Sequence, residues 1–147
     1  MEHDLFFDGT VKNYSWCIKT GNDVANQMRK HPPAYLSGGK LNVENKEESK
    51  FIALHVGIYW GLGVFIIKNL DTVNVMCDSE KMYEILRQNN KTDNQIINDK
   101  IYFTNQLVQQ RNLKVNYQMI ESSKNLASKY LSVKDETSTS KNSRGFV

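Results

Sequence analysis

The chain is poor in the residues that staple or punctuate small folds. Of 147 residues, two are cysteine and two are proline. Cys17 and Cys77 stand apart, each inside an apolar, strand-like run, so they read as buried free thiols of a reducing compartment. No CxxC pair and no Cys/His spacing is present to hold zinc. The two prolines are adjacent, Pro32-Pro33, and close a polar stretch from Gly21 that they exclude from being a helix. A long apolar run is missing too. The most hydrophobic block, Phe51 to Ile67, contains His55 and three glycines and stops at Lys68, short of a membrane span. The N-terminus, Met1-Glu2-His3-Asp4, lacks the basic start and apolar core of a signal peptide, which points to an intracellular protein. Neither charge sign dominates: a net charge of +3 permits nucleic-acid binding without demanding it.

What remains is an ordinary globular composition, 39% apolar and 24% charged, in a length that suggests one domain with a real core. Leu5 to Asp8 reads as a strand, Val11-Lys12-Asn13 as a turn, and Tyr14 to Thr20 as a second strand closing a hairpin. Tyr35 to Lys40 reads as a short third strand, and Leu41 to Lys46 as a loop. From Glu47 to Lys68 the pattern is helical, with Phe51, Leu54, Ile58, Leu62 and Phe65 recurring at spacings of three and four. Thr72 to Cys77 is a nearly continuous apolar strand, as expected in a sheet covered on both faces. Helices follow over Ser79 to Gln88 and Asp93 to Arg111, then a strand over Lys114 to Ile120 and a last helix over Ser122 to Val133. The expected domain is 1–134, a mixed α/β sheet with helices on both faces. Residues 135–147 carry almost no apolar content and read as a disordered polar tail.

The chemistry concentrates in two aspartate motifs, Leu5-Phe6-Phe7-Asp8-Gly9-Thr10 and Val73-Asn74-Val75-Met76-Cys77-Asp78-Ser79. Each is a buried strand that ends on a carboxylate. Alone, Asp8 is a turn residue, and Asp78 belongs with Ser79 to the cap of the next helix. As ends of neighbouring parallel strands, they put two carboxylates at one sheet edge, where Mg²⁺ is held by carboxylates and substrate phosphates.

This order of elements and motifs, over roughly Leu5 to Val133, resembles the type 1 ribonuclease H family. Asp8-Gly9-Thr10 is similar to the family's first-strand Asp-Gly-Ser/Ala, and Cys77-Asp78-Ser79 to its fourth-strand Asp-Ser. Lys50-Phe51-Ile52-Ala53-Leu54-His55-Val56-Gly57-Ile58 resembles its central helix, and Ala127-Ser128-Lys129-Tyr130-Leu131 its final helix. Asp8-Gly9-Thr10 also resembles haloacid dehalogenase-like phosphatases, but the nucleophile's position there is Phe6. The ribonuclease H resemblance implies a five-stranded mixed sheet. It also implies Mg²⁺ or Mn²⁺ held by four carboxylates, and cleavage of the RNA strand of RNA–DNA hybrids.

Asp8 and Asp78 keep two of those carboxylates and are the candidate metal ligands. The central-helix glutamate falls on Lys50, and the final-helix aspartate on Ser128. Glu47, one helical turn before Lys50, and Glu48 are the candidate replacements, although acidic residues at a helix start also serve its dipole. Candidates for nucleic-acid contact are Lys12, Lys40 and Lys50, with Trp16 as a stacking ring. Two readings follow. One is a divergent module, catalytically impaired or inactive, that binds RNA–DNA hybrid, RNA or a protein partner. The other is an active nuclease using Asp8, Asp78 and a displaced Glu47 or Glu48.

A tail with so little apolar surface contributes nothing to the core. Removing Asp135 to Val147 is expected to leave the melting temperature unchanged, and a substantial drop would show that the tail docks.

Overall fold

A computed structural model describes residues 1–32, 43–89 and 91–131. Strands β1 (Glu2–Gly9), β2 (Asn13–Thr20) and β3 (Asp23–Lys30) form an antiparallel meander. Helix α1 (Lys46–Gly63) leads to β4 (Thr72–Cys77). Then come α2 (Glu80–Gln88), α3 (Gln95–Gln110) and β5 (Lys114–Met119). The five-stranded sheet runs in the order β3-β2-β1-β4-β5, with β4 parallel to both β1 and β5.

Strand alternation sorts side chains between the two faces. Leu5, Phe7, Trp16, Ile18, Val73 and Val75 point to one face and join Phe51, Leu54, Ile58, Met82, Leu86, Ile97 and Ile101 from the three helices in the main core. Phe6 and Cys17 point to the other face, where Ala127, Leu126 and Tyr130 of the C-terminal segment cover them. That segment has a 3-10 turn at Ser122–Lys124 and a helical turn at residues 128–131. The sheet is therefore flanked on both faces, unequally. Among the described residues no helix is long and apolar enough to cross a membrane.

Helix α1 lies close to the sheet because its inner stripe is small. Ser49, Ala53, Gly57 and Gly61 recur every four residues and are all buried. A Cβ at Gly61 would come within 2.9 Å of Ile18, and one at Gly57 within 3.2 Å of Trp16. From the strand side, a Cβ at Gly9 would lie 2.1 Å from the Ser49 hydroxyl oxygen. Glycine at position 9 thus sets how near the start of α1 comes to the end of β1.

Three expectations from the sequence need correction. The third strand is Asp23–Lys30; the segment 35–40, where it was expected, lies outside the described residues. β3 is an edge strand with mostly exposed residues, so burial imprints no apolar alternation on it. It is held by eight continuous pairs with β2 and by a turn with Gly21 at φ 61°. Helix α1 ends at Gly63 instead of Lys68. Phe65 adopts a left-handed φ of 65°; its N–H bonds Leu62 and that of Ile66 bonds Gly61, which closes a Schellman cap. Phe65, expected on the apolar stripe, is consequently 76% exposed. The last helix is broken at Asn125, whose extended backbone serves the side-chain contacts described below. The tail at 135–147 lies outside the described residues.

His55, on α1, packs against Phe103 of α3 with ring centroids 5.9 Å apart. Burial, helped by the charge of Lys100, pulls its pKa down to about 4. An unfolded histidine takes its proton near pH 6.5, so between about pH 6.5 and 4 the unfolded state binds the extra proton and stability falls with pH. His31 is lowered too, by burial, which outweighs the raising effect of a hydrogen bond to the Thr10 backbone, and acts in the same direction. Urea midpoints measured across that window should fall with pH, and His55→Gln should flatten the fall in part. Identical slopes for variant and wild type would rule out His55 as a source.

Candidate functional site

The parallel register of β1 and β4 pairs Glu2 with Thr72 and Phe6 with Met76. Carried two residues further, the same offset sets Asp8 beside Asp78 at the carboxyl end of the sheet. Asp8 is the penultimate residue of β1, and Asp78 follows β4 and precedes Ser79, the N-cap of α2. Both side chains are largely withdrawn from solvent, with 13% and 5% exposure.

Two like charges on adjacent strands would repel strongly where water is scarce. A cation lies between them: the Lys50 ammonium, in the first turns of α1. Its Nζ is 2.7 Å from Asp78 Oδ1 and 3.8 Å from Asp8 Oδ1, and the lysine side chain is 12% exposed. The other oxygens are held as well. Gly9 N–H donates to Asp8 Oδ1 at 2.8 Å, and the Ser128 hydroxyl donates to Asp8 Oδ2 at 2.5 Å. The Asn125 amide donates to Asp78 Oδ2 at 2.9 Å and, from the same nitrogen, to the Phe7 carbonyl at 2.9 Å. Every carboxylate oxygen of the pair therefore has a donor on it. As arranged, these residues do not fit a pair of divalent metal ions: two carboxylates already satisfied by an ammonium, an amide, a hydroxyl and a backbone N–H present cationic or neutral donors where ligand oxygens would be needed.

The structure brings Asp8, Asp78 and Lys50 together and places Glu47 and Glu48 elsewhere. Glu47 points toward α2 and pairs with Lys81 at 3.3 Å. Glu48 is 4% exposed and turned toward the start of α3. It accepts from the Asn94 amide, and from the Glu44 backbone N–H at 2.9 Å. Asn45 and Asn94 are the N-caps of α1 and α3, so Glu48 ties those two helix starts together. Lys12 is exposed in the turn between β1 and β2. Lys40 lies outside the described residues. Trp16 is fully buried, with Trp60 packed 5.8 Å away and the Arg29 guanidinium 5.1 Å over its ring, so it presents no open face to a base.

Sequence reasoning missed Asn125, since an asparagine in a polar stretch carries no periodic signal. It also missed the bracket beneath the site, where His31 stacks on Tyr14 at 4.7 Å and its Nε2 lies 2.7 Å from the Ser49 hydroxyl oxygen. Cys77, beside Asp78, is an inert thiol. Burial first and the Asp78 charge second push it up to about 12, against the opposing pull of Lys50.

No protein-family model matches the chain, and no curated protein matches it in sequence. Solved structures do match in shape. Ribonuclease H1 from the halophilic archaeon Halobacterium salinarum NRC-1 superposes with a TM-score of 0.67 at 14% identity, covering 90% of this chain and 99% of that one. The N-terminal RNase H domain of rv2228c from Mycobacterium tuberculosis gives 0.67 at 13% identity, over 92% and 96%. LC11-RNase H1, solved in complex with RNA/DNA hybrid, gives 0.63 at 12% identity, over 87% and 91%. With its β3-β2-β1-β4-β5 sheet and its paired aspartates at the carboxyl end, the chain has the ribonuclease H type 1 fold.

Proposed function

We propose that this protein is a ribonuclease H-like module that binds nucleic acid, RNA–DNA hybrid or RNA, at the Asp8–Asp78 end of its sheet without metal-dependent cleavage. The observation that carries the reading is the Lys50 ammonium seated between the two aspartates. A fixed monocation there offsets one of the two carboxylate charges, in place of exchangeable Mg²⁺ or Mn²⁺. It supplies no Lewis acid to activate water or to stabilise a leaving oxygen. The binding half of the reading rests on the fold, on the hybrid held by LC11-RNase H1, and on exposed Lys12 beside the site, with Lys124 and Lys129 on the C-terminal segment. In this arrangement Lys50 is a structural counter-ion, and surface lysines supply the phosphate contacts.

Lys50→Ala tests the counter-ion role. It leaves two poorly solvated carboxylates without their cation, and is expected to destabilise the fold by about 3–5 kcal/mol, the usual loss when one partner of a buried pair is removed. Mg²⁺ or Mn²⁺ should then raise the melting temperature of the variant while leaving that of the wild type unmoved, because a metal bound only by the native state stabilises it. A metal-dependent rise in the wild type that disappears in Asp78→Asn would sink this role.

Cleavage is the direct test of function. The unmodified protein should bind an RNA–DNA hybrid with salt-dependent affinity and leave it intact even in excess Mn²⁺. Lys50→Glu combined with Ser128→Asp restores two carboxylates and should create or greatly raise cleavage. Robust cleavage by the wild type, lost in Asp8→Asn, would overturn the proposal.

A further inference from the structure

Among the described residues, the sheet has one long unguarded edge. β3 is its terminal strand, and no described segment pairs along its outer side. The ladder with β2 fixes which backbone groups face outward. His31 N–H donates to the Lys12 carbonyl at 2.9 Å, so position 31 turns its groups inward to β2. By the alternation of antiparallel pairs, positions 29, 27, 25 and 23 do likewise. Val24, Asn26, Met28 and Lys30 therefore direct their N–H and C=O groups outward. Sheet edges are normally blunted by central charges, proline or a bulge. β3 has none of these between Val24 and Met28, and its eight pairs with β2 run without interruption.

The charges on β3 select its occupant. Asp23 opens the strand, and Arg29 and Lys30 close it, all three exposed. A parallel copy would set like charge against like; an antiparallel copy sets opposite charges together. From this complementarity we infer that β3 pairs antiparallel with β3 of a second copy of this chain, on a twofold axis at Asn26, and joins two five-stranded sheets into one. This register opposes outward-facing positions, as hydrogen bonding requires. Asn26 meets Asn26 of the second copy, Val24 meets Met28, and Asp23 meets Arg29, each of the last two contacts occurring twice.

A second feature supports the same face. A cleft of about 280 Å³ borders the first half of β3, lined in part by Asp23, Val24, Ala25, Met1 and Phe65. Its walls carry apolar residues that are unusually exposed: Met1 at 82%, Phe65 at 76% and Val24 at 48%. Phe65 is moreover held at a left-handed φ of 65°, a strained position for a bulky side chain. Twofold pairing sets one such cleft at each end of the joined strands, beside the incoming Arg29. The inference is independent of any ligand at the aspartate site, which lies at the other end of α1.

Sedimentation velocity on the full chain over a dilution series tests it. The wild type should show a reversible monomer–dimer equilibrium. Asn26→Pro deletes the two central, outward N–H donors without touching the ladder to β2. It should raise the dimer dissociation constant about tenfold or more, with an unchanged melting temperature under conditions where both proteins are monomeric. Asp23→Arg and Arg29→Asp should each weaken the dimer, and the double exchange should restore it. Arg29 also covers Trp16, so the melting temperature of its variants is read alongside; if Asn26→Pro fails to fold, Asp23→Arg and the double exchange decide. A wild type that stays monomeric throughout would overturn the inference. So would a dimer indifferent to Asn26→Pro, or a double exchange that does not restore association.

Discussion

The end of this sheet depends on one electrostatic constraint: two aspartates on adjacent parallel strands cannot both stay charged and poorly solvated without a cation between them. Lys50 meets that need from α1. In doing so it locks the first turns of the helix over the ends of β1 and β4. Asn125 and Ser128 bind the remaining oxygens and draw the C-terminal segment onto the second face, where Ala127 seals Phe6 and Cys17. Four separate parts of the chain meet at one charged cluster.

The ammonium can reach the aspartates only because the helix lies low. The stripe of Ser49, Ala53, Gly57 and Gly61 lets α1 approach the strands, and Gly9 lets the end of β1 pass under Ser49. Packing and electrostatics are therefore coupled here. A larger residue on the stripe would lift the helix and pull Lys50 from its partners, as well as disturb the core. The same tight approach leaves Glu47 and Glu48 turned toward α2 and α3, where they hold Lys81 and the paired N-caps Asn45 and Asn94.

The carboxyl end of the sheet and its β3 edge are built on opposite principles. At the carboxyl end, charge is concentrated, buried and internally paired. Along β3, charge is confined to the strand ends, and the middle is neutral, with the backbone hydrogen-bonding groups of alternate residues turned outward. Phe65, which borders the first half of β3, is exposed and holds left-handed backbone, with φ of 65°. That is a costly way to display apolar surface.

The sequence by itself determined the elements whose burial leaves a period: the apolar strands ending at Asp8 and Cys77, the central helix, and the two helices that follow β4. It also determined that two aspartates would end neighbouring strands, and that lysine and serine stand where the resemblance implies carboxylates. It did not reveal β3, because an exposed edge strand is specified by its partner's backbone and a glycine turn, leaving its side chains free of pattern. Nor did it reveal the stop of α1 at Gly63, which rests on Phe65 adopting a conformation that glycine usually takes. Tertiary structure alone decided where the charged side chains went. Glu47, Glu48 and Lys50 lie within four residues of one another, yet the 100° step between helix positions sends them to three different neighbours. Which of them meets Asp8 and Asp78 depends on the rotation and height of α1 over the sheet, and long-range packing against Gly9, Trp16 and Ile18 sets both.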